Sequence, residues 1–127
     1  SARSFKKYSN NIEVIGGDVD RRILFQEDRI QTFHVDQLDL NSLRNFLSIQ
    51  KDMDLIIDDG LHTNHSNINF LATALDIHGN ESGSWIIIED IHIDQRIIWE
   101  NIASYLSGKF KTWLIKTKIS IMFVLLT

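Results

Sequence analysis

Four short apolar runs, each closed by an acid, constrain this chain more than any other feature. They are "IEVIGGDVD" (12–20), "RIQTFHVDQLD" (29–39), "MDLIIDD" (53–59) and "SWIIIED" (84–90). Each reads as a strand, and "MDLIID" is near-continuously apolar, as strands buried on both faces of a parallel sheet are. Helical windows alternate with them. "LNSLRNFLSIQ" carries Leu40, Leu43, Phe46, Leu47 and Ile49 at helical spacing, with Asp39 or Asn41 as N-cap. "NHSNINFLATALDIH" reads as a second helix with Ile68, Leu71, Ala72 and Leu75 on one face, ended by Gly79. "DQRIIWENIASYLSG" is a third, stopped by Gly108, and "FKTWLIKT" and "ISIMFVLL" close the chain as two strands with no room for a helix between them. The expected fold is therefore α/β: a Rossmann-like, mostly parallel sheet with helices on both faces and a C-terminal antiparallel hairpin.

In such sheets ligands sit beyond the carboxyl ends of the strands. Here those ends carry Asp18 and Asp20, then Asp36, then Asp58 and Asp59, then Glu89 and Asp90. One acid at a strand end is ordinarily a cap or a loop residue. Four strand ends converging on one rim repel one another and need a positive partner. Arg21, Arg22 and Arg96 are the only nearby cations in the sequence of those loops. A hard divalent cation such as Mg²⁺, which takes oxygen ligands, is the alternative. Asp59 on one strand and Glu89 and Asp90 on its neighbour would meet across a spacing of roughly 5 Å.

The five histidines divide by position. His62 follows Asp59 in a turn opened by Gly60, and beside a metal cluster it becomes a candidate general base. His65 opens a helix as a cap or surface residue, His34 and His78 read as structural, and His92 is close enough to Asp90 to line the same pocket. "GGD" at Gly16–Asp18 fits either a tight turn with an exposed acid or a carboxylate that accepts both hydroxyls of a ribose. Asp36 and Gln37, in "VDQ", offer an acceptor and an amide suited to an adenine edge.

Composition bounds the rest. The chain has 127 residues, enough for one domain over residues 1–127, with no repeat or linker to divide it. A net charge of −4 gives no nucleic-acid footprint. There is no cysteine, which removes disulfides, thiolate metal sites and cysteine nucleophiles and fits a cytoplasmic setting. No run is long enough to span a bilayer, and no signal-peptide core is present in these residues.

These pieces, in this order, resemble the class I S-adenosylmethionine-dependent methyltransferases. The nearer resemblance is to the Mg²⁺-dependent macrolide-type sugar O-methyltransferases and their cephalosporin hydroxylase-like relatives. It rests on "VIGGDVDRRILFQEDRIQTFHVDQLD" and "DLIIDDGLHTNH…SWIIIEDIH". The resemblance implies S-adenosylmethionine and Mg²⁺ as cofactors and a small-molecule acceptor, a sugar or other metabolite hydroxyl. It implies that Asp18 binds the cofactor ribose and that Asp36 and Gln37 lie against the adenine. Asp59, Glu89 and Asp90 would be the metal ligands, with Asp58, counted with the cofactor-binding residues, as their neighbour or substitute, and His62 the base. The family's first strand and glycine-rich loop are expected before Ser1, where "SARSFKKY" would begin the following helix. On that reading the chain is a truncated methyltransferase domain whose sheet lacks a central strand, and its activity as a fragment is open.

Two other readings compete. A non-catalytic module would keep the fold and associate through its acidic rim or open sheet edge, giving a homo-oligomer. A phospho-acceptor receiver domain also clusters acids with Mg²⁺, but it needs a lysine closing a later strand, for which Lys116 is the stand-in.

Overall fold

The computed structural model describes residues 2–80 and 83–127. Helix α1 (Ala2–Tyr8) leads into β1 (Val14–Asp18), a two-residue β2 (Gln26–Glu27) and β3 (Ile30–His34). Then come α2 (Leu40–Leu47), β4 (Leu55–Asp58), α3 (Asn64–His78), β5 (Trp85–His92), α4 (Arg96–Leu106), β6 (Lys111–Lys116) and β7 (Ser120–Leu126). The expected start of α1 at Ser1 lies outside the described residues. Every strand expected from the apolar runs is present. The α/β class holds.

The strands form two sheets, ordered β1-β3-β2 and β4-β5-β7-β6. β1 pairs with β3 and β4 with β5 in parallel, while β2 with β3, β5 with β7 and β6 with β7 are antiparallel. The sheets are thus more mixed than a mostly parallel one, because β7 returns between β5 and β6 and β2 folds back on β3. Among the described residues β1 pairs only with β3 and β4 only with β5, so each keeps one open edge.

The core unites the two halves. Val35, Leu43 and Leu47 from the first half join Ile56, Ile86, Ile88, Phe123 and Leu125 of the second sheet, under Phe70, Leu71 and Ala74 of α3 and Trp99 of α4. Trp99 is fully buried against Phe123, ring centroids 5.3 Å apart, and its indole N–H donates to Asn64 Oδ1 at 3.2 Å. Strand register puts Leu55, Trp85, Trp113 and Ile115 on the other face of this sheet. They are 40–54% exposed, and Trp85 stacks on Trp113 at 5.6 Å. Helices therefore cover one face of the four-stranded sheet, whereas the sequence pointed to both; α1 packs instead on the first sheet.

Asp39 caps α2 as expected, accepting from the Asn41 N–H at 2.9 Å. The buried face of α3 departs from expectation. It is formed by Asn67, Phe70, Leu71, Ala74 and His78, and Ile68 and Ala72 face solvent. A count of apolar residues misses polar side chains such as Asn67 and His78 that are buried in this face. His78, read as structural, sits fully buried with Nε2 2.9 Å from the Leu47 carbonyl and so ties α3 to α2.

Candidate active site at the strand ends

The parallel pairings align the strand ends. Asp18 lies opposite His34 in register, and the Val35 N–H donates to the Asp18 carbonyl at 3.0 Å. Asp18 Oδ1 accepts from the Asp20 N–H at 2.8 Å, which leaves its other oxygen without a partner among the described residues. Asp20 is already committed, capping a short 3-10 turn and pairing with Arg22 at 2.7 Å. Asp36 Oδ1 accepts from the Leu38 N–H at 2.9 Å, and its own N–H donates to Ser42 Oγ at 3.0 Å.

Gln37 is committed at both ends of its amide. Its NH₂ donates to Asp58 Oδ1 at 2.5 Å, and its carbonyl accepts from the Leu61 N–H at 2.8 Å. Asp58, at the end of β4, is only 2% exposed. Its Oδ1 also accepts from the Gly60 N–H at 3.2 Å, while Oδ2 is buried without a partner among the described residues. Burial pushes its carboxyl above the usual range, against the pull of the Gln37 and Gly60 donors and the His62 ring.

Asp59 follows the last residue of β4 and, unlike buried Asp58, faces solvent. It is exposed, with Oδ1 3.7 Å from His62 Nε2. Asp90 lies across from it in an irregularity of β5: pairing with β7 shifts between Ile88 and Ile91, and Glu89 and Asp90 fall in the bulge. Bulges re-aim side chains at the end of a ladder. Both Asp90 (φ 48°) and His62 (φ 54°) adopt the left-handed region, sparsely populated by non-glycine residues and a recurrent mark of functional sites.

The result is a convergent set. Ligand atoms from Asp59, His62 and Asp90 all lie within 4.8 Å of one another. Glu89 stands outside that group, but burial first, then the charges of Asp59 and Asp90, raise its carboxyl above the ordinary value. Among the described residues no Lys or Arg forms a salt bridge with Asp18, Asp36, Asp58, Asp59, Glu89 or Asp90. The rim is therefore rich in carboxylates that no Lys or Arg among the described residues pairs, and the two converging carboxylates of Asp59 and Asp90 suit a divalent cation.

His65 is exposed on the first turn of α3. His92 is drawn to its own loop, with Nδ1 accepting from the Asp94 N–H and lying 3.2 Å from the Asp94 carboxylate, rather than lining the pocket. Lys116 pairs with Glu100 at 2.5 Å, away from the rim acids, which counts against the receiver-domain reading. The sequence reading did not anticipate the Gln37 bridge or the capping box by which Thr63 and Ser66 start α3 directly after His62. A T-x-x-S pattern is a weak form of the capping-box signature, so only the latter carried a local signal.

Comparison with known proteins bears on the fold. No family model and no curated protein matches the sequence. Solved structures do match, among them three of one methyltransferase. The MycE methyltransferase from the mycinamycin biosynthetic pathway, in complex with Mg and SAH, aligns in one crystal form with a TM-score of 0.73 and 21% identity over 96% of this chain. The chain shares its fold with this methyltransferase. A second MycE structure, with Mg, SAH and mycinamycin VI, gives 0.72 at 17% identity over 98% of the chain. A second crystal form with Mg and SAH gives 0.64 at 16% over 96%. The chain spans 38%, 39% and 46% of those three chains.

Proposed function

We propose that the chain carries the rim of an S-adenosylmethionine-dependent O-methyltransferase site, acting on a hydroxyl of a sugar or small metabolite. The observation that carries this is the convergence of Asp59, His62 and Asp90 at the carboxyl ends of β4 and β5, in a fold shared with a methyltransferase that binds Mg and SAH. The residues fit a divalent cation, since the donors converge and no Lys or Arg among the described residues forms a salt bridge with them. Asp59 and Asp90 would hold it, with Glu89 beside them. When bound, Mg²⁺ supplies positive charge that makes an acceptor hydroxyl more acidic. His62 Nε2, 3.7 Å from Asp59 Oδ1, takes the proton of the attacking hydroxyl. Asp18, with one carboxylate oxygen free, holds the ribose hydroxyls, and Asp36 faces the adenine. Gln37 and Asp58, locked onto each other, form the floor between these two halves.

The same proposal sets the chain in the cytoplasm, with no nucleic-acid or membrane partner. Its net charge is −4, and no helix among the described residues is long and apolar enough to cross a membrane. The test is transfer of label from methyl-labelled S-adenosylmethionine to a panel of sugar and phenol acceptors with Mg²⁺ present. Transfer that is lost in His62→Ala supports the reading; transfer unchanged by that substitution contradicts it.

A second reading, self-association, is favoured by the open edges of β1 and β4 and the exposed face of Leu55, Trp85, Trp113 and Ile115. Two copies packed through this face would place the tryptophan pair at the centre, where aromatic anchors dominate binding. Sedimentation equilibrium of the wild type and Trp113→Ser distinguishes a dimer from a monomer.

A further inference from the structure

We propose that Gln37 is a positioning residue for the loop that carries Asp59 and His62. The proposal rests on the metal-site reading above, and adds a residue that acts through others.

The loop 59–62 is fixed at its two ends. At one end Asp58 is buried in the floor of the site. At the other, the Thr63–Ser66 capping box and the Trp99–Asn64 hydrogen bond fix the first turn of α3. Between these points Leu61 is exposed, and its N–H has one tie, to the Gln37 carbonyl at 2.8 Å. The same amide donates to Asp58 at 2.5 Å, so one planar group spans the loop from Asp58 to Leu61. Its orientation is dictated by chemistry. Turned over, the amide would set an oxygen against a carboxylate and an NH₂ against an N–H.

Two further observations make the bridge specific. A Cβ at Gly60 would collide with the Gln37 side chain, approaching its Cδ to 2.7 Å and Nε2 to 2.8 Å. The glycine thus provides the space in which the amide lies. In addition, Gln37 follows β3 in the first sheet, whereas Asp58 ends β4 in the second. The bridge therefore crosses the break between the sheets, where no backbone ladder joins them among the described residues. Asp59 lies within the bridged segment and His62 directly after it. Loss of the amide frees the loop on which two of the three converging donors stand. Partners that orient metal-binding groups from outside typically change affinity about tenfold to 100-fold when removed.

The test uses Mn²⁺ as the probe, read by electron paramagnetic resonance of the free ion, in the wild type, Gln37→Met and Gln37→Glu. Methionine keeps the length of the side chain without its hydrogen bonds. Glutamate keeps an acceptor for Leu61 but opposes Asp58. The expected result is Mn²⁺ binding by the wild type, weakened about tenfold or more in both variants, under conditions where circular dichroism shows them folded. Wild-type binding that both variants retain unchanged overturns the positioning role. No wild-type binding instead overturns the metal-site reading on which it rests. Amide hydrogen exchange of the wild type alone gives a second, metal-free readout. The Leu61 N–H should be protected although its side chain is exposed, and free exchange there overturns the bridge whatever the variants do.

Discussion

Gly60→Ala is the substitution whose consequence follows most directly from the geometry. The new methyl would occupy the volume of the Gln37 amide, with the Oε1 atom nearest of all. The amide is the far end of a flexible side chain, so it moves and the backbone stays. Moving it breaks the bond to the buried Asp58 carboxylate and the bond from the Leu61 N–H. A hydrogen bond to a charged group contributes about 1.5–3 kcal/mol, and an exposed neutral one stands near 0.5 kcal/mol, so Gln37→Ala is expected to cost about 2–3.5 kcal/mol. Gly60→Ala loses the same two bonds, offset by about 0.4–1 kcal/mol from the stiffer unfolded chain, because Gly60 is not among the positive-φ residues. The double variant has nothing further to lose, since the methyl enters space the shortened side chain has left. Its cost should fall about 0.4–1 kcal/mol below that of Gln37→Ala alone, a coupling of about 2–3.5 kcal/mol against the sum of the singles. Urea unfolding followed by the fluorescence of Trp85, Trp99 and Trp113 measures all four corners of the cycle. Additive costs, or a neutral Gly60→Ala, would refute the account of this loop.

Trp99→Ala removes the largest buried side chain and should cost about 3–5 kcal/mol, measured in the same unfolding assay. Thr63→Ala removes the cap of α3 and should cost about 1 kcal/mol, seen as a lowered urea midpoint at constant slope. Glu27 is held below its ordinary pKa of 4.5 by its hydrogen bond to Arg3, which ties α1 to β2. A depressed carboxyl contributes stability that is fully present above its unfolded pKa and lost as pH falls through the folded one. Amide exchange in 2–8 should therefore be unchanged from pH 7 to 5 after correction for intrinsic rates, and rise below about 4.5; Glu27→Gln should abolish the change. Saturating Mg²⁺ at a hundred times its dissociation constant should add about 2.7 kcal/mol to unfolding, an increment that Asp59→Asn removes.

Much of this architecture is legible in local patterns. The acids at the strand ends, the limits of α3 and the Asp39 cap all follow from periodicity and cap chemistry. What was not legible depends on distance along the chain or on small departures from a period. β2 is two exposed polar residues, too short and too hydrophilic to read as a strand. The insertion of β7 between β5 and β6 is a long-range choice that no window of sequence encodes. The side-chain link between Gln37 and Asp58 spans 21 positions. Other features carried a signal that is simple in retrospect. Strand alternation places Asp58 on the side of Ile56, hence buried. In "WIIIEDIH" the fully buried positions step from Ile86 and Ile88 to Ile91, and that odd interval marks the bulge that turns Asp90 toward the rim.

The central claim is that the strand ends form the nucleoside and metal sides of a methyl-transfer site. Calorimetric titration of S-adenosylhomocysteine into the chain, with and without Mg²⁺, tests it most directly. The account predicts binding that Asp18→Ala weakens about tenfold or more, as loss of a charge-assisted contact of roughly 1.5–3 kcal/mol requires, and that Asp59→Asn leaves unchanged when Mg²⁺ is absent. Binding indifferent to Asp18, or no heat of binding in either condition, would contradict it.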